Sequence, residues 1–375
     1  MDKFISIYIP DIKKYKTSAI NAIEEGWISN HGQYVEKATD KLRSIVNIPY
    51  CILMSSGTSA THCLFLALKY KYPNINKIYV PNNSYVAAWN CALMEYSVTQ
   101  LEVMKMDIKT WNIITSEEYI NSLDKNACVL IVHNLGNIVN VPRLKRIRKD
   151  LIFIEDNCEG LFGKYENIYS GMSDASLCSS CSFYGNKIIT SGEGGAFFTN
   201  NEEIYMHIKS VYSHGMSKIR YIHDKHAYNY SMTNIESAFL YDQLNDISFI
   251  LQNKKRIFSN YDHLLKNLID LKKVELIKCE NNTEKSYWIF PIRIINNQKT
   301  PDEIMIYFRE NNIDIRPFFY PINKHRHLQN ISFDDYVSSL LNQEIIMIPS
   351  SPNITMDEQT YIVKCLESYI CSYVT

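Results

Sequence analysis

Three short stretches carry residues whose types and spacing could do chemistry. The first is SFYGNKIITSGEGG (182–195), in which Lys187 stands among small and aromatic residues ahead of the glycines Gly192, Gly194 and Gly195. A lysine that attacks a carbonyl to form a Schiff base needs a restricted pocket and a lowered pKa, and buried lysines are rare unless paired or chemically used. A solvated lysine on a turn would look the same in isolation. The second is Glu155-Asp156, closing the apolar run LIFIED. A carboxylate there could balance a protonated ring nitrogen, although Asp also favours caps and turns. The third is Ser55-Ser56-Gly57-Thr58-Ser59, between an apolar run and a helical pattern. Free backbone N–H groups and a helix dipole at such a junction suit a phosphate dianion. An ordinary Ser or Thr N-cap has the same composition.

Each stretch is ambiguous alone, but together they form a set. A phosphate cradle, an acid for a pyridinium and a Schiff-base lysine are the three fixtures that pyridoxal 5′-phosphate (PLP) requires. The elements that must position them follow from the hydrophobic pattern. YCILMS (50–55), KIYVPN (77–82), QLEVMKMD (100–107), ACVLIVHN (127–134), DLIFIED (150–156), ASLCSSCSF (175–183) and GGAFFTN (194–200) read as strands. Several are apolar almost throughout, as strands covered on both faces are. Between the first two, Ala60, Cys63, Leu64, Ala67 and Leu68 fall on one helical face. This predicts an α/β body with a mostly parallel sheet. Ligands of such sheets bind beyond the carboxyl ends of the strands, so the three stretches should converge. After about residue 245 the pattern changes: a polar helix (251–270), a strand in SYWIFPIRI (286–294), a helix in DEIMIYFRENN (302–312) and a final helix near 356–370. The expected division is a large domain over 1–245, with the N-terminal segment, and a smaller α+β domain over 246–375.

With these residues in view, the chain resembles the DegT/StrS family of nucleotide-sugar aminotransferases from about residue 6 to its C-terminus. EEGWISNHGQYVEKAT resembles an N-terminal motif of the family and SSGTSA its phosphate loop. VPNNSYVAAWNCAL is similar to the segment bearing an aromatic that stacks on the cofactor, and IEDNCEG to the acid loop. SFYGNKIITSGEGG resembles the lysine loop, and YNYSMTNIESAFLYDQL a segment that reaches into a neighbouring subunit. The resemblance implies the aspartate-aminotransferase fold (type I PLP fold), with a seven-stranded sheet. It also implies PLP as cofactor, with Lys187 as the Schiff-base lysine and acid/base. Asp156 would pair with the ring nitrogen and Tyr85 would stack on the ring. Glu159 would lie near the cofactor, where relatives often have Gln or His. Gly57, Thr58, Ser59 and Ser182 would line the phosphate site, and Asn229 would reach the phosphate from a partner chain in a homodimer with shared active sites. His214, Arg316 and Asn323 would face substrate. Ser231 and Asn323 depart from the Arg and His common in the family.

The implied reaction is a two-half transamination, from L-glutamate to carbon 4 of a nucleotide-linked 4-keto-6-deoxyhexose. UDP-viosamine formation is preferred, on overall resemblance to a giant-virus enzyme of that type; GDP-perosamine formation, or amination at carbon 3, is the alternative. A non-catalytic ligand sensor on the same fold is the reading from a different class. With 39 Lys and Arg against 40 Asp and Glu, nothing points to a nucleic-acid partner. No apolar run of about 18 residues suggests a membrane span. A cytoplasmic location is expected, in the host if the source is viral. Ten cysteines without a secretion signal read as reduced thiols. Cys178-x-x-Cys181 reads as structural, since a zinc site normally needs four ligands, and no metal is expected. His223-x-x-His226 and His325-x-His327 read as solvated or substrate-facing.

Overall fold

The computed structural model describes residues 3–373 except 330, 332 and 334. Its centre is a seven-stranded sheet ordered β1-β9-β8-β5-β4-β2-β3. The strands are β1 (Tyr50–Met54), β2 (Ile78–Pro81), β3 (Leu101–Met104), β4 (Cys128–Val132), β5 (Ile152–Asp156), β8 (Ser179–Ser182) and β9 (Gly195–Thr199). Each falls within one of the seven predicted runs. β2, β3, β4, β5 and β8 pair in parallel, while β9 runs antiparallel between β8 and β1. β1, β5 and β8 therefore end on the same edge of the sheet. Their side chains are buried almost without interruption because helices cover both faces. The helix Gly57–Lys71 buries the predicted face, Ala60, Cys63, Leu64, Ala67 and Leu68, and also Thr61, His62 and Phe65. It is enclosed nearly all round, which a one-sided reading of its pattern understates.

A four-stranded antiparallel sheet, β10-β12-β14-β13, lies in the C-terminal part. It comprises β10 (Val274–Glu275), β12 (Phe290–Ile294), β13 (Arg316–Pro317) and β14 (Ile345–Ile348). The helices Ile247–Leu264, Pro301–Glu310 and Met356–Tyr373 supply the rest of its core. Ile5 belongs to that core and bridges Ile313. The predicted polar helix is divided, with a short piece at Lys266–Asp270. The SYWIFPIRI strand is shorter than expected. Ser286 instead donates its N–H to the Gly136 carbonyl (2.9 Å) and its hydroxyl to the Glu159 carbonyl (2.6 Å). A small three-stranded sheet, β11-β6-β7, joins Thr283–Glu284 (β11) to Lys164–Tyr165 (β6) and Ile168–Tyr169 (β7). None of its strands is anticipated by the periodicity, because two-residue strands carry too little pattern.

Candidate active site

The phosphate-loop candidate is shaped by a helix cap. Ser56 precedes the helix in an extended conformation, and its hydroxyl accepts the Ser59 N–H (3.0 Å). Ser59 Oγ in turn accepts the Ser56 N–H (3.1 Å), a capping box. The Ala60 N–H closes on the Ser56 carbonyl at 3.2 Å. The N–H groups of Gly57 and Thr58, in the first turn, have no intrahelical acceptor, and the helix dipole reinforces them. A Cβ at Gly57 would lie 2.7 Å from Ser182 Cβ and 3.3 Å from Cys158 Sγ. Only glycine allows the loops after β1, β5 and β8 to approach so closely. Ser59, expected among the phosphate contacts, commits both its N–H and its hydroxyl to the cap.

Glu155 and Asp156 point to opposite faces, as successive strand residues must. Glu155 is wholly buried: it accepts from His133 Nε2 (2.9 Å), the Tyr165 hydroxyl (3.1 Å) and the Gly171 N–H (3.1 Å). The Val139 N–H donates to His133 Nδ1 (3.1 Å), which places the ring proton on Nε2, toward Glu155. Asp156 ends β5, buried at the loop edge, with Oδ1 accepting the Cys158 N–H (3.1 Å). One turn on, Glu159 is buried and accepts the Leu135 N–H on Oε2 (2.8 Å). Its Oε1 lies 3.9 Å from Lys187 Nζ. Burial pushes the Glu159 carboxyl up to about 7; the nearby Lys187 and the Leu135 N–H oppose that rise without cancelling it. The Lys187 side chain is only 13% exposed, with Nζ 3.9 Å from the centre of the Trp288 ring. Trp288 Nε1 donates to the Asn186 carbonyl (2.8 Å), holding the ring against the loop. Cys158, Glu159, Ser182, Lys187 and Trp288 line one small cavity.

A pair of free N–H groups, a buried strand-end carboxylate and a sequestered amine thus meet at one sheet edge. That donor set fits a phosphorylated pyridine aldehyde. Residues 10–367 match the DegT/DnrJ/EryC1/StrS aminotransferase family. The chain belongs to that family. Its cofactor is PLP and its class of reaction is transamination. The aminotransferase is 27% identical to the GDP-perosamine synthase of Escherichia coli O157:H7, over 98% of this chain and 99% of that protein. It is 28% identical to the GDP-perosamine synthase of Vibrio cholerae, over 97% and 99%. Among solved structures, the PLP form of Spr1654 from Streptococcus pneumoniae superposes with a TM-score of 0.88 at 18% identity, covering 99% of this chain and all (100%) of that one. The type I PLP fold expected for the aminotransferase is the fold observed.

The remaining expected residues lie farther out. Tyr85 follows β2, is 62% exposed and meets Phe319 edge-on, ring centres 6.4 Å apart. The RPFFYPIN segment docks against the same loop through the Asn83–Pro321 bridge and an Ile322 N–H to Asn82 carbonyl bond (2.8 Å). Asn323 donates to the Phe333 carbonyl (3.2 Å), and its buried Oδ1 has no partner among the described residues. Arg316 is exposed and ion-paired with Asp314. His214 and Asn229 are both exposed, on the hairpin closed by the Ser213–Asn229 bridge. Trp288, Ser286 and Leu135 were not anticipated at the site. Trp288 sits in a run read as strand, and no spacing marks the other two. Cys178 and Cys181 pack in different cores on opposite faces of the sheet, so they do not form a pair. His223 Nδ1 donates to the His214 carbonyl (2.8 Å), and His327 Nε2 contacts Asn90 Oδ1 (2.8 Å). Among the described residues, no group of three His, Cys, Asp or Glu could hold a metal.

Proposed function

We propose that this aminotransferase moves an amino group from L-glutamate to carbon 4 of a nucleotide-linked 4-keto-6-deoxyhexose. The observation that carries the reading is the placement of the sequestered Lys187 amine between Glu159 and Trp288, at the edge where the loops after β1, β5 and β8 meet. Gly57 and Thr58 would hold the cofactor phosphate through their N–H groups, with the Ser182 hydroxyl beside them. Asp156 would keep the ring nitrogen protonated, and Tyr85 would cover one face of the ring. When bound, PLP supplies the electron-withdrawing ring that stabilises negative charge at the reacting carbon. Lys187 Nζ would carry the proton to and from that carbon, and Glu159 would hold a second proton near it. Arg316, freed from Asp314, offers the forked donors suited to a carboxylate or pyrophosphate.

Likeness over nearly full length to two GDP-perosamine synthases favours a GDP-linked mannose-type substrate and product; UDP-viosamine formation is the second reading. A homodimer with shared sites is part of the proposal. The helix Thr17–Glu24 buries Ala19 and Ala22 but exposes Ile20 and Ile23, and Trp27 and Ile28 follow, also exposed. Exposed apolar residues gathered in one segment are what a subunit interface covers. The location is taken as cytoplasmic; among the described residues no helix is long and apolar enough to cross a membrane. The test offers glutamate with the UDP- and GDP-linked 4-keto-6-deoxy sugars of gluco and manno configuration. An aminated product identified by mass and NMR is expected, the GDP-linked manno sugar turning over best. Turnover of none of the four would refute the proposal.

A further inference from the structure

Lys254 is fully buried on the helix Ile247–Leu264, and among the described residues no carboxylate stands within ion-pair distance of it. A lysine is almost never kept in that state without a role. Its Nζ donates to the Ser350 carbonyl (2.6 Å) and lies 5.0 Å from the centre of the Tyr8 ring. The Tyr8 hydroxyl donates to the backbone carbonyl of Lys187 (3.0 Å). Three segments distant in sequence thus converge behind the reactive lysine. The N-terminal strand-like segment and the 349–352 turn are laced together by the Ser350 N–H to Ile7 carbonyl bond (3.1 Å) and the Ile9 N–H to Ser351 Oγ bond (2.8 Å). Asn253, beside Lys254, donates to the Pro352 carbonyl (2.7 Å).

On the other side, Tyr8 and Lys187 line a cavity of about 440 Å³, with Lys14, Phe249, Asn253 and Arg256 on its walls. On this side the Tyr8 hydroxyl is the group that holds the Lys187 carbonyl, while Gln243 clamps Thr190 farther along the loop, accepting its N–H (2.9 Å) and donating to its carbonyl (2.6 Å). Burial lowers the Lys254 amine to about 7, but its hydrogen bond to Ser350 needs only a donor, which the amine supplies in either protonation state.

We propose that Lys254 and Tyr8 form a strap that positions Lys187, with Lys254 acting as a positioning residue through Tyr8. The assignment of a reactive role to Lys187 comes from the function proposed above; the strap itself is a property of the folded chain. It is tested in the full-length protein, with and without PLP, using Lys254→Met, Tyr8→Phe and the double variant. Hydrogen exchange of peptides covering residues 184–190 should accelerate about tenfold in each single variant, the equivalent of one lost hydrogen bond. The double variant should be no faster than Lys254→Met, because both changes cut one chain of contacts. For transamination, kcat should fall with the KM for glutamate unchanged. Tyr8→Phe removes a single hydroxyl, so it carries the test if Lys254→Met folds poorly. Unaltered loop exchange in Tyr8→Phe would overturn the strap, as would effects of the two changes that simply add. Borohydride reduction of the wild-type protein with PLP checks the other premise independently. Absence of an adduct on Lys187 would remove the proposed function, while the exchange data without PLP would still decide the strap.

Discussion

The pocket around Lys187 and the hairpin around Asn229 differ in how complete they are within one chain. In the pocket Glu159, Ser182 and Trp288 are buried, and Gly57 lets the neighbouring loops approach closely. The hairpin is open. Tyr228 and Tyr230 stack with ring centres 4.9 Å apart and turn inward to His62, which Tyr230 meets through its hydroxyl at Nδ1 (3.0 Å). Period-two alternation then leaves Asn229 facing outward. The carbonyl of the next residue, Tyr230, accepts the Ser55 N–H (2.8 Å), so the hairpin is anchored beside the candidate phosphate loop while presenting Asn229 elsewhere. A residue built outward on a rigid anchor suits a second copy of the chain, whereas Glu159, Ser182, Lys187 and Trp288 are brought together within a single chain.

The contrast can be broken at several points. Lys187→Ala should abolish transamination and remove the borohydride-trapped adduct, read by peptide mapping; an adduct at another lysine would reassign the pocket. Gly57→Ala should weaken PLP binding about a hundredfold, since the new methyl group meets Ser182 at 2.7 Å and the loops must part. A fluorescence titration reads that loss, and unchanged affinity would detach the loop from the phosphate. Asn229→Ala should cost about tenfold in PLP affinity, the worth of a hydrogen bond to a charged group. At PLP concentrations too low to load the Asn229→Ala homodimer, mixing it with Lys187→Ala chains should restore up to about a quarter of wild-type activity, because half of the dimers would carry one intact site. No recovery after subunit exchange would place Asn229 in its own chain's site.

A separate effect concerns protons and folding stability. The Glu159 carboxyl is raised to about 7 in the folded chain, so between about pH 4.5 and 7 the native state binds that proton more tightly than the unfolded chain. Stability without PLP should therefore fall across that window, by about 3 kcal/mol at most, and Glu159→Gln should flatten the slope. Lys254 acts in the opposite sense. Its lowered value means the unfolded chain binds the proton more tightly between about 7 and 10.5, so stability should rise with pH there. Lys254→Met should flatten that rise, as thermal melts across the two windows would read.

Much of the large sheet was legible because its strands are continuous apolar runs, and the three chemistry-bearing stretches sit at their ends. Lys187, Asp156 and Gly57 could be singled out for that reason. Ser59 could not be separated from its neighbours, since a cap and a phosphate ligand use the same side chain. Trp288 was hidden in a run whose pattern continues into β12, and Lys254 in a polar helix where one more lysine carries no signal.

The amino-acid order by itself determined the alternation of buried strands and helices, and with it the sheet edge at which Gly57, Asp156 and Lys187 stand. This follows from local periodicity and from glycines that tolerate no side chain. Which carboxylate faces the amine, which aromatic ring covers it and which segments brace it from behind were decided only by the folded chain. Tyr8 and Lys187 stand 179 positions apart, and even Glu159 and Lys187 come from different loops, so no local pattern encodes these contacts.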